Sequence, residues 1–180
     1  MSSKQNIILG LGGGCHWCTE AIFSSLSGIL DVQSGWLSSN PPADCFSEGI
    51  RLEVDENVIS LKDIISIHVE THSSDSNHSK RHKYRSAIYV LNKKDKCRVL
   101  EIISQISEVI GKTTITQVLD LKEFKPQTEA HYVDYYYKQP EKPFCKTYIN
   151  PKLKKLLKLH GKHITEDKLP IIKELLGVTG

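Results

Sequence analysis

No apolar run in this 180-residue chain approaches the roughly 18 to 20 residues that a helix needs to cross a bilayer. The first residues, Met1 to Asn6, lack the basic flank, apolar centre and small-residue cleavage site of a signal peptide, so a cytoplasmic protein is expected. Glycine and proline, 11 and 7 residues, are too few for a fibrous or low-complexity chain, and no internal repeat is present. The five cysteines are an odd number that no set of disulfides can consume, which does not fit a stapled secreted scaffold. Net charge is only +3, too small to imply nucleic-acid binding. What is present is a chain 39% apolar and 25% charged, enough to bury one core, and a single domain over residues 1–180 is expected. Charge is unevenly placed: Met1 to Tyr137 carries 14 Lys/Arg against 17 Asp/Glu, a balance of −3, whereas Lys138 to Gly180 carries 10 against 4, a balance of +6. Leucines interrupt the C-terminal lysines, which is the pattern of an amphipathic, solvated helix.

Ile7 to Leu11 reads as a buried strand that stops at three glycines, and a helix carrying Trp17, Ala21, Ile22 and Leu26 follows and ends at Gly28. Ile29 to Trp36 reads as a second strand, Ser38 to Asp44 as a loop, and Gly49 to Val54 as a third strand with Ile50, Leu52 and Val54 alternating against Arg51 and Glu53. Ser60 is the expected N-cap of a helix that ends near His72, and Ser73 to Lys83 is polar. Ser86 to Val90 is expected as a strand, Asp95 to Ile110 as a helix and Thr113 to Leu119 as a β-branched strand. Lys122 to Tyr148 is expected to be irregular, before helices over about Pro151 to Leu159 and Glu166 to Leu176. The order predicts an α+β two-layer sandwich: a mixed sheet on a β-α-β-β-α-β ferredoxin-like core, with a C-terminal irregular segment and helices.

The strongest local signal is Gly12-Gly13-Gly14-Cys15-His16-Trp17-Cys18-Thr19-Glu20. It puts Cys15 at the first turn of a helix, where unpaired N–H groups and the helix dipole favour a thiolate, so Cys15 is a candidate nucleophile. No Lys-Ser/Thr pair follows the glycines, which argues against a phosphate-binding loop. Cys15 and Cys18 form a Cys-x-x-Cys that alone suits either a redox pair or half a zinc site. No second such pair exists, and His68/His72 and His78/His82 are the histidine pairs with ligand-like spacing. Glu48 is in phase with Ile50, Leu52 and Val54, which places its carboxyl toward the apolar side and favours its neutral form; the alternative is a solvated glutamate at the start of a strand.

Gly14-Cys15-His16-Trp17-Cys18-Thr19-Glu20 resembles the Gly-Cys-Phe-Trp-Cys/Gly-x-Glu signature of the peptide methionine sulfoxide reductase A family. Further segments are similar to the family in the same order: Ser34-Gly35-Trp36, Glu48 with Ile50 to Asp55, Thr71-His72, Tyr84 to Tyr89, Phe124 to His131, and Pro143-Phe144-Cys145 through Leu153. The likeness covers about residues 6–158, with 159–180 left as a C-terminal helical appendage.

The resemblance implies thiol-dependent reduction of the S epimer of methionine sulfoxide, free or in a protein, to methionine. It implies Cys15 as nucleophile, Glu48 as the acid that protonates the departing oxygen, and Tyr84 as a hydroxyl that holds it. Gly14, His16, Trp17, Trp36 and His131 match substrate-binding positions, and Cys145 or Cys18 the cysteine that resolves the Cys15 sulfenic acid. It implies no bound cofactor or metal, reducing equivalents from thioredoxin or a small dithiol, no nucleic-acid or membrane partner, and action as a monomer. Cys45 and Cys97 are expected to be structural or incidental, with Cys97 a buried free cysteine. The sequence also departs from the family: His16 replaces a phenylalanine, the 37–47 loop is short and lacks a segment with a second oxygen-binding tyrosine, and Ser79 replaces an acidic residue. These departures motivate an alternative, a family-shaped binding or redox-sensing protein with little catalysis.

Overall fold

The computed structural model describes residues 6–72, 79–111 and 113–178. The sheet is built around β1 (Asn6–Gly12), which pairs antiparallel with both β3 (Ser47–Asp55) and β4 (Ala87–Val90). Its alternation sorts the two faces: Leu9 and Leu11 are fully buried on the helix side, while Gly10 faces Leu37 and Tyr89 on the other. With β2 (Ile29–Ser38), β5 (Gln117–Asp120) and β6 (Glu123–Pro126), the strand order is β5-β4-β1-β3-β2-β6. The four central strands with α1 (His16–Phe23) and α2 (Leu61–Thr71) are the expected β-α-β-β-α-β core. Joined to β4 through α3 (Lys93–Ile110), β5 runs parallel to it and makes the sheet mixed.

Helix starts follow capping chemistry. The Ser60 hydroxyl accepts from the Asp63 N–H at 3.1 Å and opens α2 where the sequence put it. Asn92 accepts from the Asp95 N–H at 2.9 Å and starts α3 two residues before the expected Asp95, and Gly111, at φ 68°, ends it. The first helix is shorter than expected. It stops at Phe23 because Ser25 Oγ donates to the Ile22 carbonyl at 2.6 Å and closes the turn, and Leu26 instead bridges to Ile164.

Three elements depart from the expected irregular stretch 122–148. Four-residue β6 pairs with the edge of β2, anchored by Phe124 against Leu37, too short and too polar for a period to show. Further on, α4 (Tyr135–Lys138) and a π-helical turn (Cys145–Ile149) lead into α5 (Asn150–His160), followed by α6 (Lys168–Leu176). Ile164, Ile172 and Leu176 of the C-terminal segment join the same core as β1 and α1. No helix among the described residues is long and apolar enough to cross a membrane.

Gly35 is where β6 meets β2: a Cβ there would lie 2.1 Å from the Lys125 carbonyl oxygen. Gly35→Ala therefore has to push β6 off the sheet, and chemical denaturation should register a loss of about 1–3 kcal/mol. Wild-type stability in the variant would mean that β6 is not held at this spacing.

Candidate active site

At the end of β1 the chain turns through glycines because its surroundings leave no room for side chains. Gly13 has φ 149°, and a Cβ on it would lie 2.4 Å from the His72 ring. Arg81 donates to its carbonyl at 3.2 Å, holding the loop from the other side. Cys15 is the N-cap residue of α1, and its carbonyl accepts from the Cys18 and Thr19 N–H groups at 3.1 and 3.3 Å.

The ionisations of the Cys15 and Cys18 thiols are coupled through an interaction of hydrogen-bond type between them. Cys15 is pushed up by that interaction and by burial, partly countered by the Trp17 N–H, while Cys18 is pulled down by the same interaction and by the Lys152 ammonium. Coupling and burial thus work against the thiolate that the helix terminus was expected to place on Cys15 and favour the anion on Cys18.

Glu48 lies on the helix-facing side of β3 with its side chain 11% exposed, in phase with buried Ile50, Leu52 and Val54. Oε2 accepts from the His16 N–H at 3.4 Å and stands 3.5 Å from His16 Nδ1; Oε1 is 3.4 Å from Lys83 Nζ. Burial lowers the His16 pKa, opposed by the charge of Glu48. The His16 ring meets Trp17 and Trp36 edge-on, at centroid distances of 5.6 and 5.3 Å. Cys15, His16, Trp17, Trp36 and Glu48 are thus brought together, with Gly14 directly before the nucleophile candidate.

Other expected positions stand farther off. The Tyr84 ring reaches Glu48 only through Lys83, whose Nζ is 5.1 Å from the ring centroid. His131 is exposed, 3.4 Å from the Glu129 carboxylate, with its ring against Tyr132. Cys145 is fully buried, its thiol donating to the Gln139 carbonyl at 3.3 Å, and burial raises its pKa; it shares the core with Cys18. Ser79 offers its carbonyl to His82 at 3.3 Å. The 37–47 loop leaves Cys45 exposed, and Cys97 is exposed on α3 rather than buried as expected, because it lies on the outward face of that helix.

Several neighbours were not evident from sequence. Trp17 stacks on Tyr135 at 4.3 Å and on Tyr132 at 5.2 Å, with Phe144 edge-on at 5.5 Å. Buried Glu20 on α1 arranges this, because its carboxylate accepts from the Asp134 and Tyr135 backbone N–H groups and from Ser34 Oγ at 3.3 Å. Tyr137 OH donates to the Ala21 carbonyl at 2.9 Å and Tyr136 OH to Asn150 at 2.8 Å, which fasten α4 to α1 and α5. The run Tyr132-Val133-Asp134-Tyr135-Tyr136-Tyr137 was the available signal. Among the described residues no group of three or more His, Cys, Asp or Glu stands ready to hold a metal ion. His72 is turned to Ser86 at 2.8 Å, and His78 lies outside the described residues.

The sequence model for "Peptide methionine sulfoxide reductase" matches residues 6–164. The peptide methionine sulfoxide reductase MsrA of Saccharolobus solfataricus is 29% identical over 163 residues, 83% of this chain and 92% of that protein. Mxr1 of Saccharomyces cerevisiae in its reduced form shares the fold, with a TM-score of 0.68 at 20% identity over 79% of this chain and 91% of its own. Mxr1 in complex with Trx2 gives 0.57 at 19% identity, over 71% and 84% of the two chains.

The five cysteines differ enough in exposure to be ordered by an alkylating reagent. In the reduced native protein at neutral pH, peptide-level mass spectrometry should find Cys45 and Cys97 modified first and half-buried Cys15 more slowly, with Cys145 protected until the protein unfolds. Early labelling of Cys145 contradicts its burial.

Proposed function

The chain belongs to the peptide methionine sulfoxide reductase family, and we propose that it reduces methionine sulfoxide with Cys15 as nucleophile and Glu48 as the proton donor. The observation that carries this is the Glu48 carboxyl 3.4 Å from the His16 N–H, beside the helix turn that presents Cys15. The Cys15 sulfur, its proton passing to Cys18, forms a bond to the sulfoxide sulfur as Glu48 gives its proton to the oxygen; the hydroxyl then transfers to Cys15 as the sulfur–sulfur bond breaks, which leaves methionine and a Cys15 sulfenic acid. Both sulfur-bound electrons return to the methionine sulfur, and Cys15 is oxidised by two.

Trp17, Trp36 and the His16 ring bound the space beside Cys15, which suits a thioether methyl. The S epimer, free or in an oxidised protein, is the substrate in this reading. Tyr84 holds the departing oxygen in this reading, and Gly14 and His131 contribute to binding the substrate. Cys18, close in the chain to Cys15 and coupled to it in ionisation, is the first resolving cysteine: its sulfur attacks the sulfenic acid, releases water and leaves a Cys15–Cys18 disulfide. Cys145, in the same core as Cys18, takes part by later exchange once the buried turn opens. A thioredoxin dithiol or a small dithiol then reduces the disulfide, a partner supported by the complex of Mxr1 with Trx2. The protein works as a cytoplasmic monomer.

Incubation with dithiothreitol and a peptide carrying separated sulfoxide epimers should remove one oxygen mass from the S epimer only; no such loss sinks the enzyme reading and leaves the binding or sensing alternative. In a single turnover without added reductant, Cys15→Ser should make no methionine, whereas Cys18→Ser and Cys145→Ser should each make up to one equivalent, because chemistry precedes resolution. Glu48→Gln keeps the shape of the side chain and loses the transferable proton, so rapid-quench rates should fall by about 10²–10⁴-fold with little change in substrate affinity. Rates within a factor of about two of wild type would assign the proton to another group, with His16 first in line.

A further inference from the structure

We propose that Lys152 on α5 is the cation that holds the negative charge of the Cys15–Cys18 thiol pair, a positioning residue for the sulfur chemistry supplied by the C-terminal half of the chain. The proposal deepens, and rests on, the reading of Cys15 as the nucleophile. Lys152 is half-buried, and its Nζ donates to the carbonyl of Thr71, the last residue of α2, at 2.9 Å. On its other side Nζ lies 3.9 Å from the position of a Cβ on Gly14, directly behind the residue that precedes Cys15. Among the described residues no carboxylate comes within ion-pairing distance of it, although an ammonium taken out of water ordinarily has an anionic partner. The nearby groups able to carry negative charge are the sulfurs of Cys18 and Cys15, which raise its pKa through space.

The remaining charges around the pair do not substitute for it. Once it has given up its proton, Glu48 on β3 disfavours an anion on either sulfur, so a site that needs this carboxyl beside the nucleophile also needs a compensating cation. The Trp17 N–H helps at close range from α1, Tyr135 faces Cys15 from α4, and Cys145 faces Cys18 from the π-helical turn. Lys155 on α5 and Arg81 before β4 repel the Lys152 ammonium, as does the charge relation with His68 on α2, beside which His72 packs. Burial pulls the Lys152 pKa down and the two sulfurs push it back up, consistent with a mutual stabilisation.

The test follows iodoacetamide alkylation of Cys15 and Cys18 in the reduced protein across pH, read by peptide mass spectrometry. Lys152→Gln keeps a donor for the Thr71 carbonyl, and Lys152→Met does not; both should move the pH midpoint of alkylation up by about one, roughly tenfold less thiolate below it. Lys152→Arg should restore the wild-type midpoint. An unmoved midpoint in both neutral variants overturns the proposal, as does a shift confined to Lys152→Met, which would make the residue a hydrogen-bonding strut. Should neither neutral variant fold, the reciprocal measurement serves: in protein with 13C-labelled lysines, the Lys152 titration midpoint should fall in Cys15→Ser/Cys18→Ser by a similar amount, and constancy there overturns the proposal. Neither readout involves a sulfoxide. Failure to reduce the S epimer therefore counts against the function alone, and an unmoved midpoint in an active enzyme counts against Lys152 alone.

Discussion

The antiparallel register of β1 against β3 is the constraint on which the site depends. Leu11 is opposite Ile50 and Gly12 opposite Gly49, so Glu48 arrives just where β1 ends and the chain turns toward Cys15. Residues alternate along a strand, and the side that carries Glu48 also carries Ile50, Leu52 and Val54, all fully buried. A slip of one residue would send those three to the opposite face along with the carboxyl, and the loss of apolar burial forbids it. Gly49 tightens the fit, because a Cβ on it would stand 2.5 Å from the Leu11 carbonyl oxygen. The core thereby enforces the position of a polar group that contributes nothing to core packing.

The second frame comes from the far end of the chain. Glu20, buried on α1, uses its carboxylate to receive the Asp134–Tyr135 turn, and that turn lays Tyr135 on Trp17. A buried carboxylate left without donors is costly, so the interaction fixes the returning segment as firmly as apolar contact does. Helix α5 follows and brings Lys152 to the glycine loop while Leu153 and Leu156 fill the core beneath it. Opposite charges consequently reach the two thiols from different layers, Glu48 from the sheet and Lys152 from a helix. They act on a pair whose ionisation is set first by the coupling of the two thiols and by burial, with the Trp17 N–H at the start of α1 stabilising charge on Cys15.

His16 changes the character of the pocket. An aromatic hydrocarbon in its place would leave Glu48 only the backbone N–H on that side, whereas the imidazole adds Nδ1 3.5 Å from Oε2 and meets Trp17 and Trp36 edge-on. Lys83, bonded to the rest of the site through its own backbone carbonyl and the Glu48 N–H at 2.9 Å, supplies the second polar neighbour. The carboxyl therefore sits between a buried ring and an exposed ammonium, a setting distinct from an apolar cup.

Local patterns carried much of the fold. The period-two run at Ile50 to Val54, the serine cap at Ser60 and the glycine stop after Leu11 each act over a few residues, and each appears where the sequence put it. The turn Gly12 to Cys15 was legible for the same reason, since a cysteine after glycines at a helix start announces its own chemistry. Residues whose part depends on distant partners were not legible. Four residues of β6 become a strand only because β2 offers an unpaired edge, Ser25 ends α1 early by a hydrogen bond that no propensity records, and Tyr135 is an ordinary aromatic until Glu20 places it on Trp17. The sharing of charge between Cys15 and Cys18 belongs to this second group. The sequence by itself determined which sulfur stands at the helix terminus, whereas the proton's location follows from burial, from Glu48 and from Lys152, which only the tertiary structure brings within range.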